Sequence, residues 1–189
     1  TSPDYIYLGK NNLNIKGINY KFILDYTYWL KEKDQSNFYP LLSLNDLRDF
    51  DLNTVSGNIY FLIVKTSDLE VIKDLNIPEN FVLILNSTNE HFMPDMRAFF
   101  MKNHFSKNPI ILSQSYDFNY SDKLIVHSST DNGGLFIQGF GDGIFIDNNS
   151  SDIKEIKKIN NLSFKILQAA RVRVTSTDFI SCPSCGRTL

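Results

Sequence analysis

Asn58-Ile59-Tyr60-Phe61-Leu62-Ile63-Val64-Lys65 is the stretch on which the fold turns. It is strand-length, nearly continuous in apolar side chains, and lacks the polar alternation of a strand with one wet face. Such a run reads as a β-strand buried on both faces, the kind that parallel sheets use beneath helices. Directly after it, Ser67-Asp68-Leu69-Glu70 has capping-box spacing and predicts a short helix to Leu75. A buried strand followed at once by a helix opens a β/α unit.

The pattern repeats downstream. Phe81 to Leu85 is a second buried strand, and Phe92, Met96, Phe99, Phe100 and Phe105 recur near helical spacing within 90–105. Ile110-Ile111-Leu112, Leu124-Ile125-Val126 and Ile144-Phe145-Ile146 read as three further strands. Ser151 to Ala170 is a helix whose apolar set is Ile153, Ile156, Ile159, Phe164 and Leu167. Upstream, Asp4 to Leu8 reads as a short strand, Phe22 to Leu30 as a helix ending on Lys31 and Lys33, Pro40 to Leu44 as a strand, and Asn45 to Phe50 as a short helix. Gly133 to Gly139 reads as strand by composition, although a barrel needs a helix between Val126 and Ile144. Strands alternating with helices imply parallel pairing and right-handed crossovers. The expected class is therefore α/β: a partial or degenerate (β/α) barrel-like domain over 1–173, followed by a short cysteine-bearing tail over 174–189.

Composition narrows the functional classes. The 189 residues suffice for one domain, or one domain plus a fragment, and the start at Thr1 suggests an excised or processed piece. With 42% hydrophobic and 13% aromatic residues the chain is expected to fold. A net charge of -2 with scattered Lys and Arg gives no electrostatic footprint for nucleic acid. No apolar run approaches the ~18–20 residues of a membrane helix, and the N-terminus lacks the order of a signal peptide. Abundant Asn, Lys and Ile, with only Ala98, Ala169 and Ala170 as alanines, read as coding bias.

The informative chemistry is Cys182-Pro183-Ser184-Cys185-Gly186, which contains both cysteines of the chain. Two thiolates at this spacing face one metal when the backbone turns between them. Pro183 sets the turn, and Gly186 lets amides approach the sulfurs. Zinc ribbons and iron–sulfur sites both use such half-sites, and both need further ligands. Spacing alone favours zinc; the bland alternative is a free thiol pair or a local disulfide. Other features have mainly structural readings. Gly139-Phe140-Gly141-Asp142-Gly143 lacks dinucleotide-fingerprint spacing and precedes a strand, so it reads as a tight loop. His127, Ser128 and Asp131 sit where a barrel strand is expected to end, but three neighbours on one element do not make a catalytic triad. His91 and His104 have no ligand spacing and are expected at the surface or its boundary. Arg171 and Arg173 suit a helix C-terminus. Arg187 reads either as a solvated side chain or as a donor to a sulfur or phosphate.

Several segments together resemble one family. Asp122-Lys123-Leu124-Ile125-Val126-His127, the Gly139–Gly143 loop, Ile166-Leu167-Gln168-Ala169-Ala170-Arg171-Val172-Arg173 and Thr177-Asp178-Phe179-Ile180-Ser181-Cys182-Pro183-Ser184-Cys185-Gly186-Arg187-Thr188-Leu189 are similar to the hydroxymethylbutenyl diphosphate synthases of the non-mevalonate isoprenoid pathway. The resemblance is specific over 120–189 and general over 1–119. It implies that Cys182 and Cys185 bind a [4Fe–4S] cluster, with a third Cys and a Glu from beyond this chain. It implies a ferredoxin- or flavodoxin-dependent oxidoreductase that reductively opens methylerythritol cyclodiphosphate, with loss of water. It further implies that residues 1–173 are the barrel-like middle domain of plant and apicomplexan members, absent from bacterial ones, and that 174–189 begin the cluster domain. On that reading the piece is structural, inactive alone, works against the enzyme's own catalytic barrel and cluster domain, and resides in a plastid-type organelle, an apicoplast or chloroplast. The tail from about Thr175 is expected to be loosely held when the cluster is incomplete. The rival is a β/α binding module ending in a zinc knuckle.

Overall fold

Tyr60–Lys65 is a strand whose side chains divide between two cores. Tyr60, Leu62 and Val64 belong to a large cluster shared with helices, whereas Phe61 belongs to a smaller one on the opposite face of the sheet. That division explains why the stretch is apolar almost throughout: neither face meets water for most of its length. The structure, a computed structural model, describes residues 2–10, 19–32, 36–50, 57–102, 107–117 and 119–177.

Seven strands are interleaved with six helices among these residues. In chain order they are β1 (Ile6–Gly9), β2 (Phe22–Asp25), α1 (Tyr26–Glu32), β3 (Phe38–Leu42), α2 (Leu44–Asp49), β4 (Tyr60–Lys65), α3 (Leu69–Ile72), β5 (Phe81–Asn86), α4 (Phe92–Lys102), β6 (Ile110–Ser115), α5 (Asp122–Ile137), β7 (Gly143–Asp147) and α6 (Ile153–Ala169). The sheet order is β1-β2-β3-β4-β5-β6-β7, and every neighbouring pair is parallel. A parallel sheet whose spatial order never reverses has all its right-handed crossovers on one face. The helices therefore cover the outer face, and the inner face curls upon itself as in a barrel.

Both faces show the result. Phe81, Leu83 and Leu85 of β5 and Leu112 of β6 lie under Met96 of α4, Leu124 and Leu135 of α5, and Leu162 and Ile166 of α6. Inside the curl, Ile23, Phe61 and Ile84 pack with Tyr5, Tyr39, Leu41, Val82 and Ile111. The edge strands approach each other through side chains: the rings of Tyr7 on β1 and Phe145 on β7 meet edge-on at 5.9 Å. Asp4 and Arg173 pair across the same seam. The structure is thus a curled half-barrel of parallel strands and helices, matching the expected class. Among the described residues, no helix is long and apolar enough to cross a membrane.

Four local expectations need correcting. Phe22–Asp25 is strand rather than helix, and the helix begins at Tyr26; both periods coexist in an aromatic-rich run, and pairing with Phe38–Leu41 decides for strand. Leu124–Val126 is the first part of α5, capped by the Ser121 hydroxyl, which accepts from Leu124 N at 3.5 Å. The Gly133–Gly139 region continues that helix to Ile137, as barrel connectivity demands. Gly134 suits this helix because a Cβ there would lie 2.5 Å from the Met93 methyl, so its absence lets α4 approach. Finally, the box after β4 uses Asp68, whose Oδ2 accepts from Lys65 N at 2.9 Å, in place of the expected cap at Ser67.

Candidate metal centre and the polar mouth of the sheet

Active sites of parallel β/α barrels form where strands deliver their C-terminal ends. Here that rim carries Tyr7, Asp25, Lys65, Asn86, Ser113 and Asp147, which follow the inner register of the strands. The Tyr7 hydroxyl donates to Asp25 Oδ1 at 2.8 Å. Burial raises the Tyr7 phenol's pKa, and the Asp25 and Asp147 carboxylates reinforce the effect. Two carboxylates face a single lysine in this set, the reverse of what recognition of a diphosphate requires.

Other acidic side chains at the same end hold loops. Asp95 Oδ2 on α4 accepts from Thr66 Oγ1 at 2.6 Å and Ser87 Oγ at 2.5 Å, joining the turns after β4 and β5. Glu155 on α6 accepts from Tyr120 N, from Asn148 Nδ2 at 3.0 Å and from Ser150 Oγ at 2.7 Å, joining the loops after β6 and β7. These donors hold the Glu155 carboxyl below the usual carboxylate range, the Tyr120 backbone N–H most of all. The rim is thereby a braced frame. Neither Asp95 nor Glu155 carries a sequence signal, because their partners lie on other loops.

His127, Ser128 and Asp131 lie on α5 rather than at a strand end. Ser128 is fully buried, and its hydroxyl donates to Leu124 O at 2.7 Å, the back-bond of a helical serine. Asp131 accepts from the Tyr116 hydroxyl at 3.1 Å. Burial raises the Asp131 pKa, opposed by that hydrogen bond and by the charge of His127. Burial raises the Tyr116 phenol as well, with the Asp131 carboxylate adding to the effect. A serine bonded to its own helix and a carboxylate bonded to a tyrosine leave no nucleophile–base pair here.

The glycine-rich loop lies at the opposite, N-terminal end of β7. Gly139 and Gly141 have φ of 80° and 85°. Asp142 mimics a ladder residue: its N donates to Ile110 O at 2.7 Å, and its Oδ2 accepts from Ile110 N at 2.8 Å. This is the tight loop expected from the sequence. His91 is exposed, and its backbone N–H donates to Asn89 Oδ1 at 2.9 Å. His104, Arg187 and the two cysteines, Cys182 and Cys185, lie outside the described residues.

The segment that leads to the cysteines is anchored. Helix α6 ends in a Schellman turn: Val172 N donates to Leu167 O at 2.9 Å and Arg171 N to Gln168 O at 3.0 Å. Arg171 occupies the left-handed position with φ of 62°. Arg173 lies 5.3 Å from the Phe164 ring centroid and pairs with Asp4. Both arginines thus stand at the C-terminal end of α6, where Arg171 forms the turn and Arg173 makes the seam contact. Thr175 and Ser176 are hydrogen-bonded to Gln168. Among the described residues, no group of three or more His, Cys, Asp or Glu side chains is placed to hold a metal ion.

No family model matches the chain. It is similar to curated proteins named 4-hydroxy-3-methylbut-2-en-1-yl diphosphate synthase. The flavodoxin-type protein of Phocaeicola vulgatus is 30% identical over 99% of this chain and 30% of its own length. That of Bacteroides thetaiotaomicron is 29% identical over 100% of this chain and 30% of its own length. The ferredoxin-type chloroplastic protein of Arabidopsis thaliana is 43% identical over 37% of this chain and 9% of its own length. The chain therefore spans under a third of the length of the relatives it matches end to end. Those relatives are bacterial, which corrects the expectation that bacterial members lack this segment, and extends the likeness through residues 1–119.

Proposed function

We propose that this chain, similar along its length to 4-hydroxy-3-methylbut-2-en-1-yl diphosphate synthases, is the barrel-like middle part of such an enzyme and supplies two ligands of its cluster. The full protein is an oxidoreductase. It opens methylerythritol cyclodiphosphate with two electrons and two protons, forming hydroxymethylbutenyl diphosphate and water. Flavodoxin or ferredoxin provides the electrons, as the relatives' names indicate.

The single observation that carries this reading is the match of 99% of this chain to part of a flavodoxin-type synthase, in a chain that contains Cys182-Pro183-Ser184-Cys185. The donor set fits a [4Fe–4S] cluster in part: Cys182 and Cys185 provide two thiolates, and the chain has no further cysteine. Such a cluster supplies one-electron transfers and an iron at which a substrate oxygen is activated. The remaining ligands come from another part of the protein, so residues 174–189 open the cluster domain and 1–173 form the middle domain. The middle domain is a spacer and docking scaffold that lets one polypeptide bring its cluster over its own catalytic barrel. The carboxylate-rich mouth supports a scaffold: Asp25 and Asp147 would repel a diphosphate. The chloroplastic relative supports a plastid-type organelle, an apicoplast or chloroplast, as the place of action.

The test is anaerobic reconstitution with iron and sulfide, followed by desalting and metal analysis. The isolated chain is expected to hold no stoichiometric cubane, and the full protein one per polypeptide. A cubane retained by the isolated chain, or zinc in place of iron in the full protein, contradicts the assignment.

A further inference from the structure

Gln168 stands on the last turn of α6, whose neighbours Ile166 and Leu167 are buried in the outer core. Its side-chain amide reaches past the Schellman turn to the chain beyond. Oε1 receives Thr175 N at 3.2 Å, Thr175 Oγ1 at 3.1 Å, Ser176 N at 3.0 Å and Ser176 Oγ at 3.0 Å. Nε2 donates to Ser176 O at 3.1 Å. Two of these donors are backbone N–H groups, which cannot accept, so the atom they face is the amide oxygen. The turn itself already satisfies the Leu167 and Gln168 carbonyls. The glutamine clamp therefore adds nothing to the helix end itself; it fixes the strand of chain that follows.

We propose that Gln168 is a positioning residue for the cysteine segment: by clamping Thr175 and Ser176 it fixes the chain ahead of Cys182 and Cys185. The proposal rests on reading those cysteines as cluster ligands. Two thiolates that must meet ligands from another part of the protein lose less freedom on assembly when their tether is already fixed. Arg173, paired with Asp4 and packed on Phe164, anchors the same exit to the first strand's approach.

Gln168→Leu removes both halves of the clamp, whereas Gln168→Glu keeps the acceptor that carries most of it. Amide hydrogen exchange on this chain reads the clamp directly. In Gln168→Leu, Thr175 and Ser176 are expected to exchange about tenfold faster, the scale of losing a hydrogen bond or two; α6 amides stay as they were, and Gln168→Glu restores protection. In the full protein, Gln168→Leu is expected to lower kcat with KM for the cyclodiphosphate unchanged, and Gln168→Glu to rescue it. Unchanged exchange in Gln168→Leu overturns the clamp whatever the cysteines do. Faster exchange with wild-type turnover overturns the positioning role. Full iron content and turnover in Cys182→Ser overturn the underlying reading instead, leaving the exchange result intact.

Discussion

Replacing Gly141 by Ala should destabilise the domain far more than the same change at Gly139, although the two backbones are alike. Both have positive φ, 85° and 80°, so each alanine meets the left-handed penalty of roughly 1–2 kcal/mol. At Gly139 nothing lies within 4 Å of the added Cβ. At Gly141 the Cβ would sit 2.8 Å from Leu112 Cγ, 3.0 Å from Cδ2 and 3.2 Å from Cδ1. The shortest contact is to the branch carbon, so turning the methyls does not relieve it. Leu112 is fully buried in the outer core and has no room to retreat. Overpacking of this kind costs about 1–3 kcal/mol, which brings Gly141→Ala to roughly 2–5 kcal/mol in all. Urea unfolding followed by circular dichroism checks it. With a slope of about 2 kcal/mol per molar, the Gly141→Ala midpoint should fall by ~1–2.5 M and lie well below that of Gly139→Ala. Coincident midpoints would refute the argument that the loop's close approach to β6, and not only its backbone conformation, requires glycine.

Glu155→Gln should weaken the frame of the mouth at neutral pH. The native carboxyl has a lowered pKa, so its contribution is present above the ordinary carboxylate range and is lost as pH falls through the lowered value; the gap between variant and wild type in unfolding midpoints should therefore close in acid. Asp131→Asn should act in the opposite sense. Burial raises the native pKa, so stability is lost as pH rises from the ordinary carboxylate range through the raised value, and the variant should gain on the wild type above it while still accepting from Tyr116. Arg171→Gly should raise stability by about 1 kcal/mol in thermal unfolding, because glycine adopts the left-handed position without strain.

The sheet was legible from the buried runs at β4, β5 and β6 because a strand packed on both faces has little freedom in its residue types. Helix α5 was not, since Leu-Ile-Val followed by His-Ser-Ser and two glycines has weak helical periodicity and owes its form to the cap at Ser121 and to packing on Met93. The N-terminal β2–α1 boundary was hidden in a run where aromatic and β-branched residues satisfy both periods. The cysteine pair stood out because chemistry fixes its spacing. Asp95, Glu155 and Gln168 did not, because polar side chains that bind distant loops leave no local pattern. The His127, Ser128 and Asp131 set shows the converse: reactive residue types close in sequence, with Ser128 and Asp131 held by Leu124 O and the Tyr116 hydroxyl.

The role proposed for this chain is to bring Cys182 and Cys185 to an iron–sulfur cluster in a reductive diphosphate synthase. The most direct measurement is iron content together with flavodoxin-driven reduction of the cyclodiphosphate by the full protein carrying Cys182→Ser, purified and assayed without oxygen. Loss of the cluster and of turnover, with the unfolding midpoint of the barrel-like domain unchanged, is the predicted result. A variant that keeps both iron and turnover would contradict the assignment.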